Sequence, residues 1–186
     1  REIMTDRPLV SVIMNCYNSA RYLKEAIQSV IDQTYRNWEI IFWDNQSADK
    51  SADIVRSFQD NRIKYHQAAA HTGLGAARNL ALSQCSGTYV AFLDCDDIWL
   101  SDKLEKQVQL FKERQDVDFI HGNYYLFDME RNSSALTFKT KQPEGDIFGR
   151  LLLDYRVGIL TVMIRKTVLN RLDSLFDVNL TLMEDY

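Results

Sequence analysis

Three carboxylates, Asp94, Asp96 and Asp97, stand within four positions directly after the apolar run YVAFL, Tyr89 to Leu93. At ~4 Å two like charges cost about 1 kcal/mol in water and about 4 kcal/mol at an effective dielectric of 20. Open solvent tolerates that cost, whereas a crevice at a sheet edge calls for a cation. Oxygen-only ligands suit magnesium or manganese, which keep waters and complete their shells from substrate phosphates. Asp94 and Asp96, one residue apart, both reach a crevice if the chain turns there. The competing reading is a solvated loop whose Asp97 caps the next helix.

Other chemistry-bearing groups lie at comparable places. In HTGLGAARN, His71 to Asn79, glycines before a helix let backbone N–H groups approach an anion, and the helix dipole adds attraction. Gly73 and Gly75 supply half of a dinucleotide fingerprint, but Arg78 occupies the place of its third glycine. Arg78 is the stronger candidate, because a guanidinium matches phosphate or nucleobase acceptors. Tyr17 offers an aromatic face for a base. Asp44 could accept hydrogen bonds from a base or ribose, and equally it could be a turn residue or cap. His66, His71 and His121 share no metal-ligand spacing.

The elements that must position these groups alternate. LVSVIM (Leu9 to Met14) and WEIIFW (Trp38 to Trp43) are short β-branched or aromatic runs, the pattern of buried strands. Between them, from an N-cap at Ser19, Leu23, Ala26, Ile27, Val30 and Ile31 form one helical stripe. A helix through Phe58, a third strand at Ile63 to Tyr65, a helix from Leu74 to Cys85 and the fourth strand YVAFL follow. Leu104, Val108 and Phe111 mark another helix, and VDFIHG (Val117 to Gly122) a strand. Beyond it the pattern predicts a loop over Asp128 to Ser134, a helix over Ile147 to Tyr155, a strand over Thr161 to Arg165 and a helical turn over Lys166 to Leu172. Apolar, non-alternating strands separated by helices predict an α/β fold with a mostly parallel sheet covered on both faces. Ligands then bind beyond the carboxyl ends of the strands. NCYN, DNQSAD and DCDD occupy three such ends.

Composition bounds the partners. A net charge of −4 over 186 residues does not suggest a general nucleic-acid binder or a polybasic membrane anchor. Cys16, Cys85 and Cys95 form neither a CxxC pair nor an even set, which points to a reducing compartment. The longest apolar runs, such as GILTVMI (Gly158 to Ile164), fall far short of a bilayer span. The chain starts at Arg1 rather than Met and stops at Tyr186 within a motif, so it reads as a piece of a longer one.

PLVSVIMNCYNSARYLKEAIQSVIDQTYRNWEIIFWDNQSADKS, GLGAARNLAL and GTYVAFLDCDDIWLSDKLEKQ, in that order and spacing, resemble family 2 glycosyltransferases of the Rossmann-like GT-A fold. A weaker likeness continues through GILTVMIRKTVL and FDVNLTLMEDY. The resemblance implies a single catalytic domain over 1–186, with a donor-binding half to about residue 98 and an acceptor half beyond. It implies a nucleotide-diphosphate sugar, most simply a UDP-sugar, as donor. The acceptor would be a saccharide or lipid-linked hydroxyl, as in polysaccharide, lipopolysaccharide or glycolipid synthesis. DCDD matches the family's DxD motif, with Asp96 the principal ligand of Mn2+ or Mg2+ and Asp94 assisting. Positions matching Asn15, Tyr17, Asp44 and Arg78 line the nucleotide pocket, and Asp185 matches the general base of inverting members. The resemblance also implies a cytoplasmic enzyme and allows peripheral attachment at the inner membrane face. Asn15 and Cys16 replace the commoner Pro-Thr, and Asn45 and Gln46 the commoner Asp-Gly, all bordering the base. A sugar nucleotidyltransferase and a non-catalytic nucleotide-binding module stay as alternatives.

Overall fold

In the computed structural model, which describes residues 7–151, 153–173 and 175–179, a six-stranded sheet is built from strands that reach it by helical crossovers. The elements run β1 (Val10–Cys16), α1 (Leu23–Ile31), β2 (Trp38–Asp44), α2 (Ser51–Ser57), β3 (Ile63–Gln67), α3 (Leu74–Leu82) and β4 (Tyr89–Phe92). Then come α4 (Lys103–Glu113), β5 (Phe119–Ile120), β6 (Tyr125–Asp128), β7 (Ser133–Leu136), α5 (Phe148–Leu151), a 3₁₀ turn (Ile159–Thr161), β8 (Met163–Arg165) and α6 (Lys166–Leu169). The sheet order is β3-β2-β1-β4-β8-β5, and β6 and β7 form a separate hairpin. The first four of these strands are mutually parallel, while β8 runs antiparallel to both neighbours. The predicted mostly parallel α/β sheet is the observed one.

Alternation along β1 divides the core. Val10, Val12 and Met14 join Leu23, Ala26, Ile27 and Val30 of α1 and Leu104, Val108 and Phe111 of α4 on one face. Ile13 joins Ile41, Val90, Phe92 and Ala81 of α3 on the other. A strand with both faces buried has no polar side to show, which is why β1 and β2 read as continuous apolar runs.

Local expectations fail where side chains serve something other than a helix end. Ser19 does not cap α1, which starts at Leu23 without a side-chain cap. Instead the Ser19 N–H donates to Ser51 Oγ at 3.2 Å and its hydroxyl to the Tyr17 carbonyl at 3.3 Å, so it shapes the loop after β1. The expected loop over Asp128 to Ser134 overlaps the β6–β7 hairpin, whose two strands are exposed throughout and carry no one-sided pattern to detect. The strand expected over Val117 to Gly122 shrinks to two residues, and the helix over Ile147 to Tyr155 to four. Among the described residues no helix is long and apolar enough to cross a membrane.

Candidate active site

From β1 the chain turns to β2 and β3 on one side, then returns through α3 to β4 on the other. The carboxyl ends of β1 and β4 therefore flank a topological switch point, the place where open sheets of this kind form their ligand crevice. The Leu93 N–H donates to the Ile13 carbonyl at 3.0 Å, carrying the β1–β4 ladder to the brink of the acid cluster.

There the chain turns sharply, with the Asp97 N–H donating to the Asp94 carbonyl at 3.2 Å. Asp94 is partly exposed, and its Oδ1 accepts from Arg78 Nη2 at 3.3 Å. Asp96 is exposed. Burial, aided by the charges of Asp94 and Asp96, pushes the Asp97 carboxyl up to about 6. Among the described residues no group of three or more His, Cys, Asp or Glu side chains is arranged to hold a metal by itself. Asp94 and Asp96 fit a hard cation that takes the rest of its shell from water and phosphate oxygens.

Arg78 is almost wholly buried, and its Nη1 has no hydrogen-bond partner. Its guanidinium lies 5.2 Å from the centre of the Phe176 ring. Asn15, at the end of β1, likewise holds Nδ2 buried and unpartnered. Orphaned buried donors cost about 1–3 kcal/mol each, so both await an acceptor.

Across the crevice, Tyr17 is 53% exposed and its ring centre lies 4.3 Å from that of His71. His71 Nδ1 is hydrogen-bonded to the Asn45 carbonyl at 2.9 Å. The Asn45 side chain pins the same loop: Nδ2 donates to the Thr72 carbonyl at 2.8 Å, and Oδ1 accepts the Thr72 N–H at 3.1 Å. Asp44 is fully buried. Its Oδ1 accepts the Ser47 N–H at 2.8 Å and its Oδ2 the Tyr65 hydroxyl at 2.5 Å, so it closes the turn after β2. Burial first, and that bond second, push the Tyr65 phenol up to about 12. Gln46 takes φ 69°, a left-handed conformation that glycine adopts without strain, and its side chain donates to the Ala68 carbonyl.

Asn15, Tyr17, Arg78 and Asp94 therefore gather around the switch point with Asp96 beside them, and Asp44 stands behind them as a loop closer. Asp185 lies outside the described residues. A Cβ on Gly73 would meet nothing within 4 Å, and one on Gly75 would lie 3.4 Å from Phe176 Cβ and from the Asp177 carbonyl oxygen, ordinary van der Waals contact. Sequence reasoning passed over Asn79, whose Nδ2 donates to the Phe176 carbonyl at 2.7 Å and whose Oδ1 accepts the Phe176 N–H at 3.1 Å. It also passed over His71 as a partner of Tyr17. A signal for Asn79 existed: a polar residue beside Arg78, where a helix covering a sheet packs inward.

Residues 11–172 match the model of the family described as glycosyl transferase family 2. The chain is 38% identical over 165 residues to the UDP-Glc:alpha-D-GlcNAc-diphosphoundecaprenol beta-1,3-glucosyltransferase WfgD of Escherichia coli, covering 89% of this chain and 63% of that protein. It is 39% identical over 160 residues to the putative teichuronic acid biosynthesis glycosyltransferase TuaG of Bacillus subtilis, covering 85% and 62%. The chain thus spans less than two thirds of the length of these relatives. Among solved structures, S. aureus TarS 1-349 in complex with UDP superposes with a TM-score of 0.79 at 27% identity, over 95% of this chain and 52% of that one.

Proposed function

The chain belongs to glycosyl transferase family 2 and has its GT-A fold, and from that premise we propose that it moves a sugar, with inversion, from a nucleotide-diphosphate donor to an acceptor hydroxyl. One observation carries the reading: the orphaned buried donors of Asn15 and Arg78 converge with Asp94 and Asp96 at the switch point. Buried donors without an acceptor beside a crowded set of carboxylates fit the two halves of a metal–diphosphate pair. A UDP-sugar is the preferred donor, in keeping with WfgD's name and the UDP bound by TarS. A lipid-linked saccharide of the cell envelope is the preferred acceptor, as WfgD's name specifies for itself. Residues to about 98 would form the donor half and those beyond it the acceptor half of one catalytic domain.

The proposed chemistry assigns each group a task. Arg78 donates to the diphosphate while Asp94 orients its guanidinium. Tyr17, braced by His71, stacks on the base, and Asn15 fills its open donor on the nucleotide. Asp44 holds the loop that borders the base. Asp96, with Asp94, would hold Mn2+ or Mg2+, which when bound supplies positive charge to the departing diphosphate. Asp185 accepts the acceptor's hydroxyl proton as that oxygen attacks the anomeric carbon from the face opposite the leaving group, a step worth about 10²- to 10⁴-fold.

A thermal-shift panel of UDP, GDP, CMP and NAD, with and without manganese, tests the donor side. A manganese-dependent shift with a nucleoside diphosphate is expected, about 2.7 kcal/mol at 100 times the dissociation constant. A shift with NAD and no metal would overturn it. Asp185→Asn should keep donor binding and lose transfer, and undiminished turnover removes the general-base assignment.

A further inference from the structure

Two strands from the acid cluster, the same edge of the sheet holds a cavity of the opposite charge. β4 and β5 both run antiparallel to β8, so they point the same way and their carboxyl ends share one edge, two strand spacings or about 10 Å apart. His121 follows β5 there, and its Nε2 is hydrogen-bonded to the Pro143 carbonyl oxygen at 3.2 Å. Pro143 is one wall of a cavity of about 300 Å³, whose other walls are Lys141, Arg150, Leu153, Asp154 and Arg156. Arg156 fastens the two walls together: its Nη1 donates to Thr140 Oγ1 at 2.7 Å, and its guanidinium lies 5.3 Å from the centre of the Phe138 ring. A Cβ on Gly158 would come within 2.7 Å of the Tyr124 ring, so the segment that carries Arg156 lies close against the root of the β6–β7 hairpin.

We propose that this cavity is a second anion site, in which Lys141, Arg150 and Arg156 hold the diphosphate of a lipid-linked acceptor while its hydrocarbon chain leaves past Leu153. That the diphosphate belongs to an acceptor rests on the function proposed above; the anion site itself does not.

Charge chooses the ligand. Three cations and one carboxylate line the cavity, in a chain whose net charge is −4. Asp154 Oδ2 accepts from Arg156 Nε at 2.6 Å, and Lys141 Nζ pairs with Glu144 Oε1 at 2.9 Å. The Asp154 and Glu144 side chains are 57% and 79% exposed, and pairs so open to water are worth about 0–1 kcal/mol, so a multiply charged phosphate competes with them. Arg150 is exposed and forms no ion pair among the described residues. Guanidinium groups grip phosphate oxygens two at a time, and a lysine adds a point charge. With a single carboxylate in the lining, binding here needs no metal, in contrast to the crevice at Asp94 and Asp96. Leu153 is 91% exposed. A lone exposed leucine is ordinary, but on the lip of a cationic cavity it lies where hydrocarbon attached to a phosphate would emerge. The shared sheet edge then lets a sugar carried on that diphosphate reach toward the switch point.

The test titrates farnesyl diphosphate into the protein by calorimetry without metal, beside farnesol, inorganic pyrophosphate and phosphatidylglycerol vesicles. Farnesyl diphosphate should bind most tightly of the four, and UDP should not displace it. Arg150→Gln and Lys141→Gln should each weaken it about tenfold, the worth of one charged hydrogen bond, and Arg150→Lys should restore part of the loss. Both side chains are exposed, so melting temperatures should hold. In transfer assays Arg150→Gln should raise the KM for a lipid-linked acceptor and leave kcat and the KM for the donor unchanged. Variants that bind farnesyl diphosphate as the parent does overturn the site, and displacement by UDP overturns it by moving the binding to the donor crevice. Farnesol bound as tightly overturns the role of the phosphates, and inorganic pyrophosphate bound as tightly overturns that of the chain. Vesicles bound in preference make the surface a membrane contact instead. A protein that binds farnesyl diphosphate through these residues, yet no UDP with manganese present, overturns the functional reading and leaves the anion site standing.

Discussion

The two ends of one sheet treat their carboxylates in opposite ways. At the amino end, Glu39 Oε1 accepts from the Ser11 hydroxyl at 2.6 Å, the Ser86 N–H at 2.9 Å and the Ser86 hydroxyl at 2.8 Å, while Lys64 Nζ pairs with Oε2 at 2.5 Å. The Gly87 N–H completes the ring on Ser11 Oγ at 2.8 Å, and a Cβ there would sit 2.6 Å from the Ser11 nitrogen. Burial alone would raise the Glu39 carboxyl, yet Lys64, Ser11 and Ser86 overcome it and bring the group down to about 2. At the carboxyl end, Asp94, Asp96 and Asp97 crowd one another, Asp97 rises to about 6, and the donors of Asn15 and Arg78 lack partners. One end has satisfied its carboxylate from within the fold, and the other crowds three carboxylates together beside two buried donors that have no acceptor. A closed network signals stability and an open one signals binding.

Substitutions that exchange these characters break the comparison. The largest expected effect is Asp96→Ala, which should lower sugar transfer by about 10²- to 10³-fold and abolish the manganese-dependent thermal shift with UDP. Its melting temperature without ligand should hold, because Asp96 is exposed. Next is Glu39→Ala, predicted to cost about 1–3 kcal/mol in urea unfolding, since it leaves the buried Ser11 hydroxyl without its acceptor. Nucleotide affinity per folded molecule should not change. A large loss of affinity in Glu39→Ala, or of stability in Asp96→Ala, would undo the division between the two ends.

The pH dependence follows from the same network. A folded-state value held below the ordinary one means that the stabilisation is complete above about pH 4.5 and is lost as pH falls toward 2. Melting temperatures across that window should drop steeply in the parent and more gently in Glu39→Gln. Arg78→Lys sharpens the other end. A point charge on a flexible stem cannot both pair with Asp94 and present a second planar donor, so UDP affinity should fall about tenfold by calorimetry. The smallest effect is Tyr17→Ala, near 1 kcal/mol in base affinity with almost no change in stability, given its exposure.

The amino-terminal part of the fold was legible because its strands are buried on both faces and its helices carry a single apolar stripe. β1, α1, β2 and β4 needed nothing more. The later part was not, because β6 and β7 are exposed on both sides and β5 is two residues long, too short for any period to show. In the site, Asp94, Asp96 and Arg78 could be read from charge type and position after a strand or at a helix start. Asp44 shows the limit of that reasoning. Its residue type fits both a base acceptor and a turn closer, and only the Ser47 and Tyr65 bonds reveal that it already serves as the second. Asn79 and His71 act through partners distant in sequence, Phe176 and Tyr17, which no local window brings together.

Asn79 faces the Phe176 peptide unit as a neighbouring strand would, offering one carbonyl and one N–H in a single rung. A side chain is thereby standing in for backbone, and this primary amide, together with the Phe176 ring packed edge-on against Phe92, docks the final described segment without a ladder. Aspartate has the same outline but no N–H to give. Exchanging one nitrogen for oxygen at position 79 would therefore loosen that segment's backbone, and with it the ring beneath Arg78, while the sheet itself stayed whole.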